Sequence, residues 1–449
     1  MKSGVSDYVA VIDLGSSKIV GCLGKKELDG KMRVLALEQV PVKTEVRRGV
    51  IHNIEEVSKT IQDLIQLLSD NEEYPCKIDQ VYVGLNGYTI RTVDVSSTAM
   101  LPGDVLVTEG DLFDLQDDAN SQIPEDLSIM ESFVQEFIVD GMADLNPVGS
   151  MPQRVEGHYK IVGGKSAILR NLETCMGIIP LNYETLLGPV ASAEAVLRPE
   201  DKSKGAVAID FGAQTTGVCI YKNNLVRYVA VLPFGGNHIT KDLLQLNIDE
   251  EEAEVLKISK GTAIHYTQMS EDDSFENELG KLSDFDKEAN DIVVARIEEI
   301  VENIWAQIRY SGIDPQKLAE GIVLTGGASQ LNGLVELLRK KTDMPVRIGN
   351  PVEYVDPEIS RLYARPEFAL CMGLLLLGKQ GCCSDVEIPV IETPRVVEEL
   401  KEPTLGGEFS TVETQKPKPE KHEKPKKVKE NKKSRFGDMF KTLFADEDL

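Results

Sequence analysis

The chain has 449 residues, 41% of them hydrophobic, and a formal net charge of −25 with a pI near 4.7. That length sets a prior of roughly two to four compact units with linkers, and so acidic a chain repels phosphate backbones, which excludes nucleic acid as a general partner. The charge is uneven, because Lys416 to Arg435 hold nine Lys and one Arg against three Glu, a net of +7 that leaves about −32 on the rest.

Seven cysteines, with no CxxC and no Cys/His ligand spacing, are the pattern of reduced thiols in a cytosolic protein. The first residues lack an uninterrupted apolar stretch, and the longest apolar run, FALCMGLLLL from Phe368, is too short for a bilayer. Neither a signal peptide nor a transmembrane helix is expected.

In chain order, VAVIDLGSSK from Val9 to Lys18 reads as a buried strand running into Asp13 and then a tight Gly15-Ser16-Ser17-Lys18 turn. The backbone N–H groups and the ammonium of such a turn suit a polyphosphate. The pattern from Val9 to Val42 is a three-stranded meander with Leu28 to Lys31 as a turn. Asn53 caps a helix whose Ile54, Val57, Ile61, Leu64, Ile65 and Leu68 fall at helical spacing, and QVYVGLNG from Gln80 is a further strand. From Tyr88 to Gly164 the texture turns acidic and predicts a small α+β insertion, either a solvated accessory lobe or an interaction lobe. GGKS at Gly163 imitates the end of a Walker A loop, but Tyr159 stands where the first glycine is required, which excludes it.

At Gly205 the opening pattern returns. GAVAIDFGAQTTGVCIY places Asp210, Gly212, Gln214, Thr215 and Thr216 after a second apolar strand, and the β-β-β-α-β order recurs up to GIVLTGG at Gly321. Two such turns predict duplicated half-domains facing one ligand, each Asp holding a hydrated Mg²⁺ through water while each turn clamps phosphates. Farther on, Glu251 to Gly261 has an acidic start and a basic end, as a helix dipole favours. Its Glu254 and Lys257 share a face, as an ordinary i,i+3 surface pair or as a ribose contact. Val293, Ile297, Ile300, Val301, Ile304 and Ile308 mark the core face of a longer helix. LTGGAS, Leu324 to Ser329, precedes a helix expected near Leu331, and Gly326, Gly327 and Ala328 keep a low wall there, suited to adenosine.

After Gly381 the composition, rich in Pro, Glu, Lys and Thr, is that of a disordered tether of about fifty residues. In SRFGDMFKTLFADEDL, Phe436, Met439, Phe440, Leu443 and Phe444 fall at i, i+3, i+4, i+7 and i+8, with Ser434 as N-cap. So short a helix is marginal in water. Burial of its apolar face contributes about 25 cal/mol per Å², and neighbouring lysines on the order of 1 kcal/mol each at an anionic surface. This is the pattern of an in-plane membrane anchor. Docking on the chain's own core or on a protein is the alternative, and the long tether favours the anchor.

Asp13 to Lys18, Asp210 to Thr216 and Thr325 to Ala328 resemble the phosphate-1, phosphate-2 and adenosine motifs of the actin, Hsp70 and sugar-kinase ATPase superfamily. RRGVIHNIEEV at Arg47, VYVGLNG at Val81, PFGGNHITKDL at Pro233 and the run from Ile138 to Arg154 are similar to the bacterial cell-division FtsA family, a likeness covering about Tyr8 to Gly381. The resemblance implies an α/β fold of duplicated actin-like (ribonuclease-H-like) ATPase domains with an inserted small α+β lobe and a disordered C-terminal tail. The first half would take 1–87 and 166–203, with 88–165 as the inserted lobe. The second half would take 204–240 and 313–364 as its core and 241–312 as a subdomain over the nucleotide. A helix in 365–381 would return to the first half, 382–433 would be linker, and 434–449 the membrane-targeting helix.

The implied cofactors are ATP and Mg²⁺, with Asp13 and Asp210 at the metal. At the nucleotide the resemblance implies Gly15, Ser16, Ser17, Lys18, Gly212, Gln214, Thr215, Thr216, Gly235, Gly236, Glu254, Lys257, Gly326, Gly327 and Ala328. The implied partners are FtsZ on the second half, further copies of the chain in an actin-like filament, later division proteins and an anionic membrane surface. The implied place is peripheral, on the cytoplasmic side of the inner membrane at the division site, where the protein tethers FtsZ filaments and helps assemble the septum. One departure stands out: the family's second loop reads Asp-Ile-Gly-Gly-Gly-Thr-Thr-Asp, whereas Ala213, Gln214 and Gly217 replace two glycines and the last aspartate here. ATP binding with at most weak hydrolysis is therefore expected, with Gln214 the candidate to orient a water. A soluble phosphotransferase of the sugar or acid kinase type is the alternative, and it needs a cleft Asp base that no motif in the sequence supplies.

Overall fold

A strand buried on both faces needs an unbroken apolar run rather than alternation, and Val9 to Ile12 provide one. In the computed structural model, which describes residues 8–27, 30–71, 75–266, 283–351, 363–379 and 381–385, this run lies within Tyr8–Leu14, the middle strand of a five-stranded sheet. The order across that sheet is Asn182–Leu187, Gln80–Leu85, Tyr8–Leu14, Lys18–Lys26, Met32–Pro41. The last three form an antiparallel meander, and the first two run parallel to Tyr8–Leu14. The helix Ile54–Ser69 starts where the Asn53 side chain accepts from the Glu56 amide at 3.2 Å, and buries Val57, Ile61, Leu64 and Leu68. Ile54 and Ile65, at the margins of that stripe, are only partly buried.

The second sheet repeats the first strand for strand. Its corresponding order is Val346–Ile348, Gly321–Thr325, Ala206–Phe211, Thr216–Lys222, Leu225–Leu232, with the same parallel and antiparallel senses. It then continues through Arg91–Met100, Arg154–Lys165, Leu127–Val139 and Met142–Asp144, so the acidic insertion joins the far edge of the second sheet. The junction is narrow: Ala230 pairs with Arg91, and Thr92 Oγ1 accepts from Val229 N at 2.7 Å and donates to Val229 O at 2.9 Å. The inserted lobe has a small core of its own around Leu115, Phe137, Val155, Tyr159 and Ile161. Tyr159 packs edge-on to Phe137 there, with ring centroids 6.5 Å apart.

Asp249 caps the helix Glu250–Lys260, and the helix Asp284–Tyr310 buries Val293, Ile297, Ile300, Val301, Ile304 and Ile308, as their spacing predicts. The helix expected near Leu331 begins instead at Leu334. Gly327–Gln330 form a 3-10 turn, the Ala263 amide holds Asn332 O at 2.7 Å, and Gly333 turns left-handed at φ 73°, so helical geometry starts only beyond it.

The apolar run from Phe368 becomes the short helix Ala369–Leu377, which packs Leu374 and Leu375 on the first sheet beside Gly84 and Gly24. It crosses the helix Gly188–Val196 at Gly373, where any Cβ would overlap the Ala191 carbonyl. Among the described residues no helix is long and apolar enough to cross a membrane. Phe436, Met439, Phe440, Leu443 and Phe444 lie outside the described residues. Replacing Gly373 by Leu is expected to cost about 2 kcal/mol or more by forcing the two helices apart. Urea unfolding monitored by circular dichroism measures this, and an unshifted midpoint would mean the crossing yields.

Candidate nucleotide site

The duplication brings Asp13 and Asp210 to equivalent places, each near the C-terminal end of the middle strand of its sheet. Both carboxylates are desolvated. Burial, reinforced by the charge of Asp210 and opposed by Lys18, pushes Asp13 up to about 7. Burial likewise raises Asp210, whose Oδ2 accepts a 2.5 Å hydrogen bond from Ser192 that partly offsets the shift. Asp13 Oδ1 is buried and has no hydrogen-bond partner among the described residues. An orphaned carboxylate oxygen within electrostatic reach of a second buried carboxylate suits a divalent cation. No cluster of three or more His, Cys, Asp or Glu surrounds it among the described residues. Such a site suits Mg²⁺, which keeps several waters and takes one or two carboxylates plus phosphate oxygens.

The two glycine turns flank this pair. In the first, Ser16 is buried and accepts from the Gly49 amide at 3.2 Å, and Ser17 O accepts from Val42 N at 2.9 Å. Lys18 Nζ donates to Gln39 Oε1 at 3.1 Å and lies 4.6 Å from the centre of the Phe368 ring. In the second, Gly212 N closes on Thr215 O at 2.9 Å. Gln214 Oε1 accepts from Arg48 N at 3.1 Å, a bond that spans the two halves and involves a residue with φ 50°. Gly217, where the family pattern carries Asp, lies against Pro189, so a side chain there would press on the helix Gly188–Val196.

The remaining site residues divide by position. Thr216 is fully buried with its hydroxyl on Phe234 O at 2.9 Å, so it braces the loop from behind. Gly235 and Gly236 do the same through their amides, which reach His238 Nδ1 at 3.2 Å and Gly212 O at 3.0 Å. Glu254 and Lys257 form a 2.6 Å pair, but Lys257 is only 12% exposed and Thr240 donates to Glu254 at 2.6 Å, so this is a packed triad rather than a solvated surface pair. Lys257 Nζ also reaches Gly236 O at 3.4 Å, and Gly236 faces Ala328. Gly326, at φ 87°, sits so close over Asp210 that any Cβ would overlap Asp210 Oδ1. Three segments far apart in sequence thus meet around Asp210. Ser192, Thr240 and Arg48 were not marked by sequence reasoning. Ser192 sits in the Ala-rich GPVASAEAV, whose only local signal is Pro189 at the helix start.

Two copies of one five-stranded unit, each presenting a buried aspartate beside a glycine turn, define an actin-like fold with its cleft between the halves. A solved PilM–PilN type IV pilus biogenesis complex shares the fold, with a TM-score of 0.57 at 16% identity over 82% of this chain and 97% of that one. A family model described as cell division protein FtsA matches residues 207–373. The chain is 32% identical over 377 residues to the cell division protein FtsA of Neisseria meningitidis, covering 82% of this chain and 89% of that protein. It is 28% identical over 385 residues to that of Bacillus subtilis, covering 83% and 85%. The chain belongs to the FtsA family of cell division proteins.

The raised Asp13 has a consequence for pH. Its carboxyl titrates near 3.8 when solvated and at about 7 in the fold, so the folded state holds the extra proton between those values. Ligand-free stability therefore falls as pH rises from about 4 to about 7, by an amount on the order of 4 kcal/mol. Asp13→Asn is expected to remove this slope. Urea denaturation of both proteins across pH 4 to 8 measures it, and a constant difference between them would show that Asp13 stays ionised throughout.

Proposed function

We propose that the protein binds ATP with Mg²⁺ between its halves, polymerises into an actin-like filament, and tethers FtsZ polymers to the inner face of the cytoplasmic membrane at the division site. The observation that carries the nucleotide reading is the orphaned Asp13 oxygen, in the field of Asp210, with a glycine turn following each aspartate. The bound cation supplies positive charge to the phosphates. Asp13 and Asp210 would hold it through water, the turns Gly15 to Lys18 and Gly212 to Thr215 would offer backbone N–H groups to phosphate oxygens, and Lys18 would add its ammonium. Gly326, Gly327 and Ala328 would form the low wall for the base and the Glu254–Lys257 pair the ribose contact, a reading supported by Gly236, which lies against both Ala328 and Lys257. Hydrolysis is weak in this reading, because Ala213 carries a Cβ in the phosphate loop and the Gln214 carbonyl is already engaged by Arg48. The protein then works as a nucleotide-loaded scaffold, and Phe436, Met439, Phe440, Leu443 and Phe444 serve as its reversible membrane anchor.

Lys18→Ala and Asp210→Ala are each expected to weaken ATP·Mg²⁺ binding at least tenfold by isothermal titration; tight binding retained in both would remove the site. For the anchor, the full chain is expected to float with anionic liposomes, while Phe440→Glu and a chain ending at Lys433 stay behind. Flotation of all three would put the membrane contact elsewhere, and flotation of none would reject it.

A further inference from the structure

The short strand Cys383–Asp385 pairs antiparallel with Cys76–Ile78, Cys383 opposite Ile78 and Asp385 opposite Cys76. Cys76 and Cys383 are therefore diagonal neighbours on one face of this two-stranded sheet. Their sulfurs lie 3.3 Å apart although 307 residues separate them in the chain. Both side chains are buried. The gap between the sulfurs is about 1.3 Å beyond the bonded separation of about 2.0 Å. Cys76 also lines an open surface cavity of about 840 Å³ with Gln66, Asp70, Lys77 and Leu181, which admits a small reagent.

We propose that Cys76 and Cys383 form an oxidation site, a paired dithiol that a low-molecular-weight disulfide converts into an intramolecular disulfide. The Cys76 thiolate attacks one sulfur of the reagent, whose S–S bond breaks and releases one thiolate. Cys383 then gives its proton to solvent and attacks the Cys76 sulfur, releasing the second thiolate. Two protein thiols are oxidised and one small disulfide is reduced to two thiols. The order of attack follows from access: Cys76 lines the cavity and Cys383 does not, and the hydrogen bond the two thiols share holds Cys76 below the ordinary thiol range while it and burial push Cys383 up. Burial raises the other five thiols, Cys22, Cys175, Cys219, Cys371 and Cys382, which leaves Cys76 as the reactive one.

The bond would fasten the last described strand to the body. In the reduced form that strand is held by three residue pairs and by Cys382, whose carbonyl accepts from Asp79 N at 2.9 Å and Gln80 N at 3.2 Å. Residues 386–449, with the basic segment and the apolar residues Phe436, Met439, Phe440, Leu443 and Phe444, follow directly in sequence. Oxidation thus acts at the root of the tail.

The test uses the full chain with oxidised glutathione, followed by alkylation in denaturant, digestion and mass mapping. The expected result is a Cys76–Cys383 cross-link and the loss of two of the seven alkylatable thiols. Cys383→Ser is expected to stop at one glutathione on Cys76, and Cys76→Ser to leave Cys383 unmodified. In hydrogen exchange, the amides of Cys383–Asp385 are expected to slow at least tenfold on oxidation. Alkylation of both Cys76 and Cys383 in the treated wild type, or a cross-link through Cys382 instead, would overturn the site. Unchanged exchange in the cross-linked protein would overturn its fastening role.

Discussion

Asp13 and Asp210 repel one another inside a desolvated cleft, and much of the molecule is what holds them there. Each lies near the end of a strand whose preceding residues, Val9 to Ile12 and Ala206 to Ile209, are almost wholly removed from water. Each of those strands is laddered on both sides, so neither aspartate can retreat without breaking sheet hydrogen bonds. Ser192 reaches Asp210 from a helix that is itself locked by its crossing with Gly373. An unneutralised pair of this kind costs several kcal/mol, a large fraction of the 5–15 kcal/mol by which domains are typically stable, about the scale that a bound cation would return.

The duplicated halves were legible because their signal is local. Apolar strand, Asp, one residue, Gly is written within a few positions, and the meander that follows each turn shows its own alternation and turn residues. The core face of Asp284–Tyr310 and the Asn53 cap are local in the same sense. The helix near Leu331 failed because its start is set by a tertiary bond, Ala263 N to Asn332 O, that no periodicity records. The Glu254–Lys257 spacing left a surface pair and a ribose contact both open for a related reason: Thr240, which bonds Glu254, comes from a different helix.

The inserted lobe shows the same limit at the level of topology. Its residues interrupt the first half in sequence, yet its sheet extends the second. The connection runs through one ladder pair, the Thr92 hydroxyl, the Val231 amide on Ile90 O and the Gln135 side chain between Val226 O and Arg227, and a strand as polar as RTVDVSSTAM shows no preference for one edge over another until these partners meet it. The lobe keeps a small core of its own around Tyr159, while its Ile90, Val162, Met130 and Phe133 pack into the main core.

The two ends of the cleft are held by different forces. At the back, the helix Gly188–Val196, seated on Gly373 by direct backbone contact at Ala191, reaches the second half through Ser192 on Asp210. At the front, a hydrogen bond from Arg48 N to Gln214 Oε1, worth on the order of 1 kcal/mol, bridges the halves. A ligand lying between the glycine turns contacts both sides of that weak front and leaves the rigid back untouched. Whatever such a ligand contributes would therefore act on the spacing of the two glycine turns.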